Sequence, residues 1–318
     1  MEIVLNNRKL SIEDDESVLN ASIRSKCGIP NSCRNGICQT CLIKVDQGCI
    51  PAAAQMGLNE NQKKQNFALA CQLFPKSDLT LHTLDKRRRV SATVIEHNSL
   101  NSKVLRLRLD ANINWSPGQF LSVWKSSNVG RPYSIASLKS EGFVELHVKY
   151  HSQGEVSRWL HNQITIGNSI NIGESHGNCF YNIAMRDRAL ILAGIGTGLA
   201  PLYGIVRDAL MSKHVAPIHL LLAGSTIDDF YLIDELNRLD KEFDNFYFHP
   251  VLRDEKRKGF IEGEIANLVP EIIPTSKKWC AFLCGAPVFV QKIQKLCFLS
   301  GLPMADIFSD PFILNEKQ

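Results

Sequence analysis

The chain has 318 residues, 44% of them hydrophobic and 21% charged, with a formal net charge of +4. These are the proportions of an ordinary globular protein with room for two or three domains. So mild a positive balance excludes a dedicated nucleic-acid binder, which concentrates more basic charge on one element. The one basic run, Lys86-Arg87-Arg88-Arg89, reads as a solvated linker or strand edge.

In chain order, Val4-Leu5 and Lys9–Ile12 predict a hairpin turning at Asn6-Asn7. Asp14–Ser25 reads as a helix with Val18, Leu19 and Ile23 on one face and Gly28 just beyond its end. The first twenty residues carry Glu2, Glu13, Asp14, Asp15 and Glu16 and lack the apolar core of an export signal, so a cytoplasmic location is expected. A cysteine-rich loop and a strand at Leu42–Val45 follow. Residues 90 to 186 then alternate in short runs, Val90–Glu96, Val104–Leu109, Phe120–Trp124, Val144–Tyr150 and Ser169–Ile172, the pattern of an antiparallel barrel or sandwich.

Ala189–Val206 carries no charge and on length alone suggests a membrane helix. Gly194, Gly196, Gly198 and Pro201 interrupt it, so strand, glycine loop and helix is the better reading, and no transmembrane segment is expected. Strands at Ala189–Ala193, Ile218–Ala223, Phe246–Leu252 and Cys280–Cys284 alternate with helices, which predicts a parallel sheet covered by helices.

Of ten cysteines, Cys27, Cys33, Cys38, Cys41, Cys49 and Cys71 crowd the first quarter. In a reducing compartment such crowding reads as metal ligation rather than disulfides. Cys33, Cys38 and Cys41 are separated by four and two residues, and Cys71 follows after 29 more. That is the plant-type 2Fe–2S spacing, in which two bridged irons take four thiolates and three must converge from one tight loop. A zinc site, the rival, usually pairs two C-x2-C knuckles, and only one is present. The stretches Ser32–Cys41 and Ala68–Gln72 resemble the 2Fe–2S ferredoxin domain of bacterial electron-transfer flavoproteins. Gln39 stands where many such domains have glycine. Cys27 and Cys49 fall outside the pattern and read as small buried apolar residues.

Two further segments resemble the flavin-binding barrel of the ferredoxin–NADP reductase family: Arg131-Pro132-Tyr133-Ser134, matching R-x-Y-S, and Gly154-Glu155-Val156-Ser157, matching G-x-x-S. An arginine suits a flavin phosphate, a tyrosine ring packs on the isoalloxazine, and a serine hydroxyl near the reactive nitrogen tunes it. Gly154, Val156 and Ser157 open an amphipathic helix whose N-terminus is a phosphate site. Gly173-Glu174 departs from the family's glycine–proline. Gly194-Ile195-Gly196-Thr197-Gly198-Leu199-Ala200-Pro201 matches the family's G-x-G-T-G-x-x-P nucleotide loop, and Cys284-Gly285-Ala286-Pro287 ends the last clear strand. The resemblance puts Cys284 and Gly285 beside the nicotinamide, with Ser134 and Cys284 at the site of hydride transfer. It also puts a C-terminal aromatic near the flavin, Phe312 in preference to Phe308.

The resemblance covers almost the whole chain. It implies a multidomain α+β and α/β fold: a ferredoxin β-grasp domain over residues 1–88, an antiparallel FAD-binding β-barrel over 89–186 and a parallel-sheet, Rossmann-like NAD(P) domain over 187–318. The implied activity is that of an NAD(P)H-dependent reductase. A hydride passes to FAD, and single electrons leave through the cluster to a protein acceptor such as an oxygenase component or a ferredoxin. A reductase for a deoxysugar-forming dehydratase, or a redox-sensing iron–sulfur flavoprotein, are the alternatives. The nine histidines show no ligand spacing. NADH is expected over NADPH, because Asp228 and Asp229 follow the second nucleotide-domain strand and no Arg or Lys occurs there before Arg238. Those two aspartates also read as caps of a helix from Phe230 to Leu239, and Arg253 or Lys256 could reach in from a later loop. The chain is expected to act as a monomer, without nucleic acid.

Overall fold

The computed structural model describes residues 2–37, 39–58, 60–83, 89–127, 129–273 and 278–312. In chain order the elements are β1 (Ile3–Leu5), β2 (Arg8–Leu10), α1 (Val18–Arg24), β3 (Leu42–Gln47), α2 (Glu60–Lys64), β4 (Phe67–Leu69) and β5 (Leu79–Thr83). There follow β6 (Val90–Ser99), β7 (Val104–Asp110), β8 (Phe120–Trp124), β9 (Gly130–Ser134), β10 (Val144–Lys149), α3 (Glu155–Asn162) and β11 (Ser169–Ile172). The last part holds β12 (Ala189–Ile195), α4 (Leu199–Met211), β13 (Ile218–Gly224), α5 (Ile233–Glu242), β14 (Phe246–Leu252), β15 (Ile261–Glu262), α6 (Ile265–Ile272), β16 (Trp279–Gly285), α7 (Pro287–Leu299) and β17 (Ile307–Pro311).

The chain divides into two compact units. The first comprises the residues up to Ser91 with Leu121–Pro132 and Ile170–Glu174. Its principal sheet has the order β2-β1-β5-β3-β4, with β1 antiparallel to β2 and parallel to β5. The hairpin turns at Asn6 and Asn7, both with positive φ, which asparagine tolerates and a two-residue hairpin of the right twist requires. Helix α1 begins later than the sequence pattern suggests. Asp15 is left-handed at φ 55, and the Glu16 N–H closes a turn on the Glu13 carbonyl, so residues 13–16 stay outside the helix. Ser17 caps it, its Oγ accepting from the Asn20 N–H. Val18 and Leu19 then lie in a core with Ile3, Leu5, Ile43, Leu69 and Leu81. Each such side chain, fully buried, contributes about 1.5–3 kcal/mol.

The same unit holds an antiparallel pair from the flavin region, β8 and β11, with Trp124 opposite Asn171 and Val123 opposite Ile172. Arg89 lies over the Trp124 ring, 3.8 Å from its centroid, and donates to the Ser126 and Ser127 carbonyls. The rest of the basic run, Lys86-Arg87-Arg88, lies outside the described residues.

The second unit combines antiparallel β10, β7 and β6 with a parallel sheet of order β15-β14-β13-β12-β16-β17. Alternate residues of the parallel strands face opposite sides. Leu190, Leu192, Leu220 and Phe282 join a core with α4, while Ile191, Ala193, Leu221 and Leu283 join one with α6 and α7. The sheet runs outward from β12 through β13 and β14, then resumes on the other side of β12 with β16. Such a switch point opens a crevice at the carboxyl ends of the central strands, here β12 and β16. The uncharged stretch from Ala189 is therefore strand, turn and helix. No helix among the described residues is long and apolar enough to cross a membrane.

Candidate functional site

The loop from Ser32 to Cys41 is shaped by its sulfurs. Cys41 and Cys71 are buried and Cys33 is half-buried, while Cys38 lies outside the described residues. The Asn35 N–H donates to Cys33 Sγ at 3.4 Å, and the Gly36 N–H reaches Cys71 Sγ at 3.2 Å. The Gln72 amide adds a contact to the same sulfur, and the Ala70 N–H donates to the Cys41 carbonyl, tying the distant cysteine to the loop. Gly36 is left-handed at φ 77, which lets its N–H turn inward. Backbone donors aimed at thiol sulfurs are what a negatively charged sulfide cluster needs, so these residues fit a 2Fe–2S group. Gln39 takes a left-handed φ of 52 where glycine is common, and its side chain donates to the Gly57 carbonyl at 3.0 Å.

Cys27 and Cys49 correct the expectation of buried apolar residues. Cys49 is exposed and Cys27 is half-buried at the margin of the core. Cys49 follows Gly48, in the loop beyond the end of β3.

Strand β9 carries the flavin motif. Arg131, Pro132 and Tyr133 are half-buried and Ser134 is buried. Arg131 donates to the Gly130 carbonyl at 2.8 Å. Ser134 Oγ donates to Asp310 Oδ2 at 2.7 Å. Gly154 is the N-cap of α3. Val156 and Ser157 are buried in its first turn, where Ser157 Oγ accepts from the His151 N–H and donates to the Gly154 carbonyl.

At the crevice of the parallel sheet, Gly194 lies in β12, and Gly196, Thr197 and Gly198 make a tight 3₁₀ turn into α4, whose third residue is Pro201. A Cβ on Gly198 would lie 2.2 Å from the Cys284 carbonyl oxygen, so only glycine allows the turn to touch β16. Lys149 Nζ lies 4.0 Å from where a Cβ on Gly196 would be, a cation beside a loop that has none.

Cys284 and Gly285 end β16, in register with Asp310 and Pro311 of β17. The buried Cys284 thiol is 3.7 Å from that of Cys179. Burial first, then Cys179 and Asp310, push it well above the usual thiol range. Phe312 is half-buried and its N–H donates to the Gly285 carbonyl at 2.7 Å, whereas Phe308 stacks on Phe282. Thus Ser134 and Cys284 meet through Asp310, which sequence reasoning left without a role, and Cys179 joins them. No spacing signal marks either residue. Burial pushes the Asp310 carboxyl up to about 6, opposed by the Ser134 hydrogen bond.

After β13, Asp228 and Asp229 lie in a 3₁₀ turn, and the helix begins at Ile233 rather than Phe230. Asp229 Oδ2 accepts from the Ser225 and Thr226 N–H groups, so it caps the 3₁₀ turn and not the helix. Arg253 does reach this point, donating to Ser225 Oγ at 2.6 Å while paired with Asp254; Lys256 pairs with Glu262 instead.

A sulfur-binding loop, a flavin motif and a glycine turn on a parallel sheet define an iron–sulfur flavoprotein oxidoreductase. Family models agree: a 2Fe-2S iron-sulfur cluster binding domain matches residues 3–76, an oxidoreductase FAD-binding domain 90–181 and an oxidoreductase NAD-binding domain 191–295. The chain belongs to the ferredoxin–NADP reductase superfamily, in the group with an N-terminal 2Fe–2S domain. It is an NAD(P)H-dependent electron-transfer reductase that uses FAD and a 2Fe–2S cluster.

A ferredoxin–NAD(P)+ reductase component of the naphthalene 1,2-dioxygenase/salicylate 5-hydroxylase systems of a Ralstonia species is 28% identical, over 98% of this chain and 98% of that one. The phenol hydroxylase P5 protein of Acinetobacter pittii is 27% identical over 96% of this chain and 91% of its own length. Among solved structures, a cytochrome P450 reductase of Amycolatopsis superposes with a TM-score of 0.70 and 25% identity, over 98% of each chain.

Proposed function

We propose that this reductase draws on NADH and delivers single electrons to an oxygenase component, as a monomer in the cytoplasm. The observation that carries it is the end-to-end likeness to relatives named as reductase components of oxygenase and hydroxylase systems. Neither a dehydratase partner nor a sensing role has such support. The same reading takes residues 1–88, 89–186 and 187–318 as the three functional domains. When bound, FAD supplies two-electron acceptance from a hydride, and the cluster supplies one-electron release.

The residues divide the work. Cys33, Cys38, Cys41 and Cys71 hold the cluster. Arg131 pairs with a flavin phosphate, Tyr133 packs on the ring system, and Pro132 keeps β9 extended between them. Gly154, Val156 and Ser157 open α3 toward a second phosphate. Gly194, Gly196, Thr197, Gly198 and Pro201 shape the turn that receives the coenzyme pyrophosphate. Cys284 and Gly285 would border the nicotinamide, and Phe312 would lie near the flavin. Ser134 presents its hydroxyl to the reactive flavin nitrogen, and Asp310 holds that hydroxyl in place. The NADH preference rests on Asp229, which fills the Ser225 and Thr226 N–H groups that a 2′-phosphate would need, and on Asp254, which neutralises Arg253.

The test is reduction of cytochrome c and of candidate oxygenase components with NADH as donor. Failure to reduce any one-electron acceptor, with FAD and cluster both present, would remove the proposal.

A further inference from the structure

The cluster loop is joined to the flavin-motif strands within the first unit. Asn31 forms a parallel β-bridge with Val129, two residues before Arg131. Next to it, Ser122 Oγ of β8 donates to Ser32 Oγ at 2.8 Å, both hydroxyls buried. Arg34 follows, its Nε donating to Asn31 Oδ1 at 3.0 Å. The bridge at Val129 brings this stretch of the loop beside the chain that leads into Gly130 and Arg131.

Arg34 is half-buried and, among the described residues, makes no ion pair. It takes a left-handed φ of 55, a conformation that costs any residue other than glycine. Burial first, then the positive charge of Arg131, push the Arg34 guanidinium below its usual range. Two guanidiniums drawn together and partly out of water repel each other, and an anion lying against both turns that cost into a gain. The sulfurs do not need Arg34 for this purpose, since Cys33 and Cys71 receive the Asn35 and Gly36 N–H groups.

We infer that Arg34 of the cluster loop and Arg131 of β9 together clasp one phosphate of the flavin coenzyme, so that the loop carrying the cluster also builds part of the flavin site. The inference rests on the reading of Arg131 as a phosphate ligand. Its consequence is linkage. Bound FAD braces the cluster loop against β8 and β9, and by reciprocity a disturbed loop weakens FAD.

The experiment uses the full-length protein stripped of FAD by chaotropic salt and retitrated with FAD or with riboflavin, which has no phosphate. Flavin fluorescence gives Kd, and visible absorbance reports the cluster. Arg34→Ala and Arg34→Gln are expected to weaken FAD roughly tenfold to hundredfold while riboflavin binds as in the parent, and Arg34→Lys to recover part of the loss. The deciding quantity is the ratio of the FAD and riboflavin affinities. If that ratio stays at the parent value, the proposal fails, whether both flavins weaken together, neither does, or only the cluster is lost. Arg131→Ala separates the two readings. If it lowers the ratio and the Arg34 variants do not, only the clasp is wrong. If Arg131→Ala leaves the ratio unchanged, the phosphate role of β9 is wrong as well.

Discussion

Ser134 of the flavin motif donates its hydroxyl proton to Asp310, 176 residues further along the chain, at 2.7 Å. The carboxyl that accepts it titrates near 6 because burial outweighs the hydrogen bond. Asp310 is also the register partner of Cys284. One carboxyl therefore reaches both residues proposed to border the reacting atoms.

Asp310 should make stability fall with rising pH. Its folded pKa of about 6 lies above the unfolded value of about 3.9, so the folded state binds more protons between these values. The stabilising contribution is complete below pH 4 and lost as pH rises through 6. The size is about 2 kcal/mol, allowing for residual solvent access. Asp310→Asn should abolish this dependence. The Tm difference between variant and parent, measured from pH 4.5 to 7, should grow in the variant's favour; a constant difference would refute the assignment.

With FAD supplied in excess to offset any weakening through the loop, Cys71→Ser should remove the cluster and leave the flavin site filled. Its sulfur receives the Gly36 N–H, so the loop loses both a ligand and an anchor. NADH should still reduce ferricyanide, which accepts electrons from flavin, while cytochrome c reduction should fall at least tenfold. Equal loss of both activities would show that the cluster loop is needed for flavin function.

Gly198→Ala should displace the coenzyme turn. The added methyl would sit 2.2 Å from the Cys284 carbonyl oxygen, and neither backbone can yield without moving the other. A cost of about 1–3 kcal/mol in stability is expected, in line with overpacking elsewhere. KM for NADH should rise by an order of magnitude or more, with FAD content unchanged. Parent-like steady-state kinetics would contradict the proposed path of the coenzyme.

NADH should exceed NADPH in kcat/KM by more than tenfold. Asp229 occupies two backbone donors after β13, and burial is overcome there by those donors and by Lys103 and Lys149, which keep its carboxyl below the usual range and so ionised. Asp229→Asn combined with Asp254→Ala should free Arg253 and narrow the gap, chiefly through KM for NADPH. Parity of the two coenzymes in the parent would defeat this reading.

The sequence by itself determined what depends on neighbours along the chain. The spacing of Cys33, Cys38, Cys41 and Cys71, the turn at Gly194–Gly198 and the order of the three regions are all legible. Cluster and pyrophosphate each demand a particular short run of backbone, and strands announce themselves by alternation. Tertiary structure alone decided what depends on register between distant elements. Asp310 meets Ser134, Cys179 meets Cys284 across 105 residues, Asn31 bridges to Val129, and Arg253 reaches Ser225. It also moved the start of α1 to Val18 and brought Cys49 to the surface, because a left-handed Asp15 and the exposure of a loop position carry no mark in hydrophobic periodicity. A side chain's partner is set by which strands pair and in what register, and that is a property of the assembled sheets.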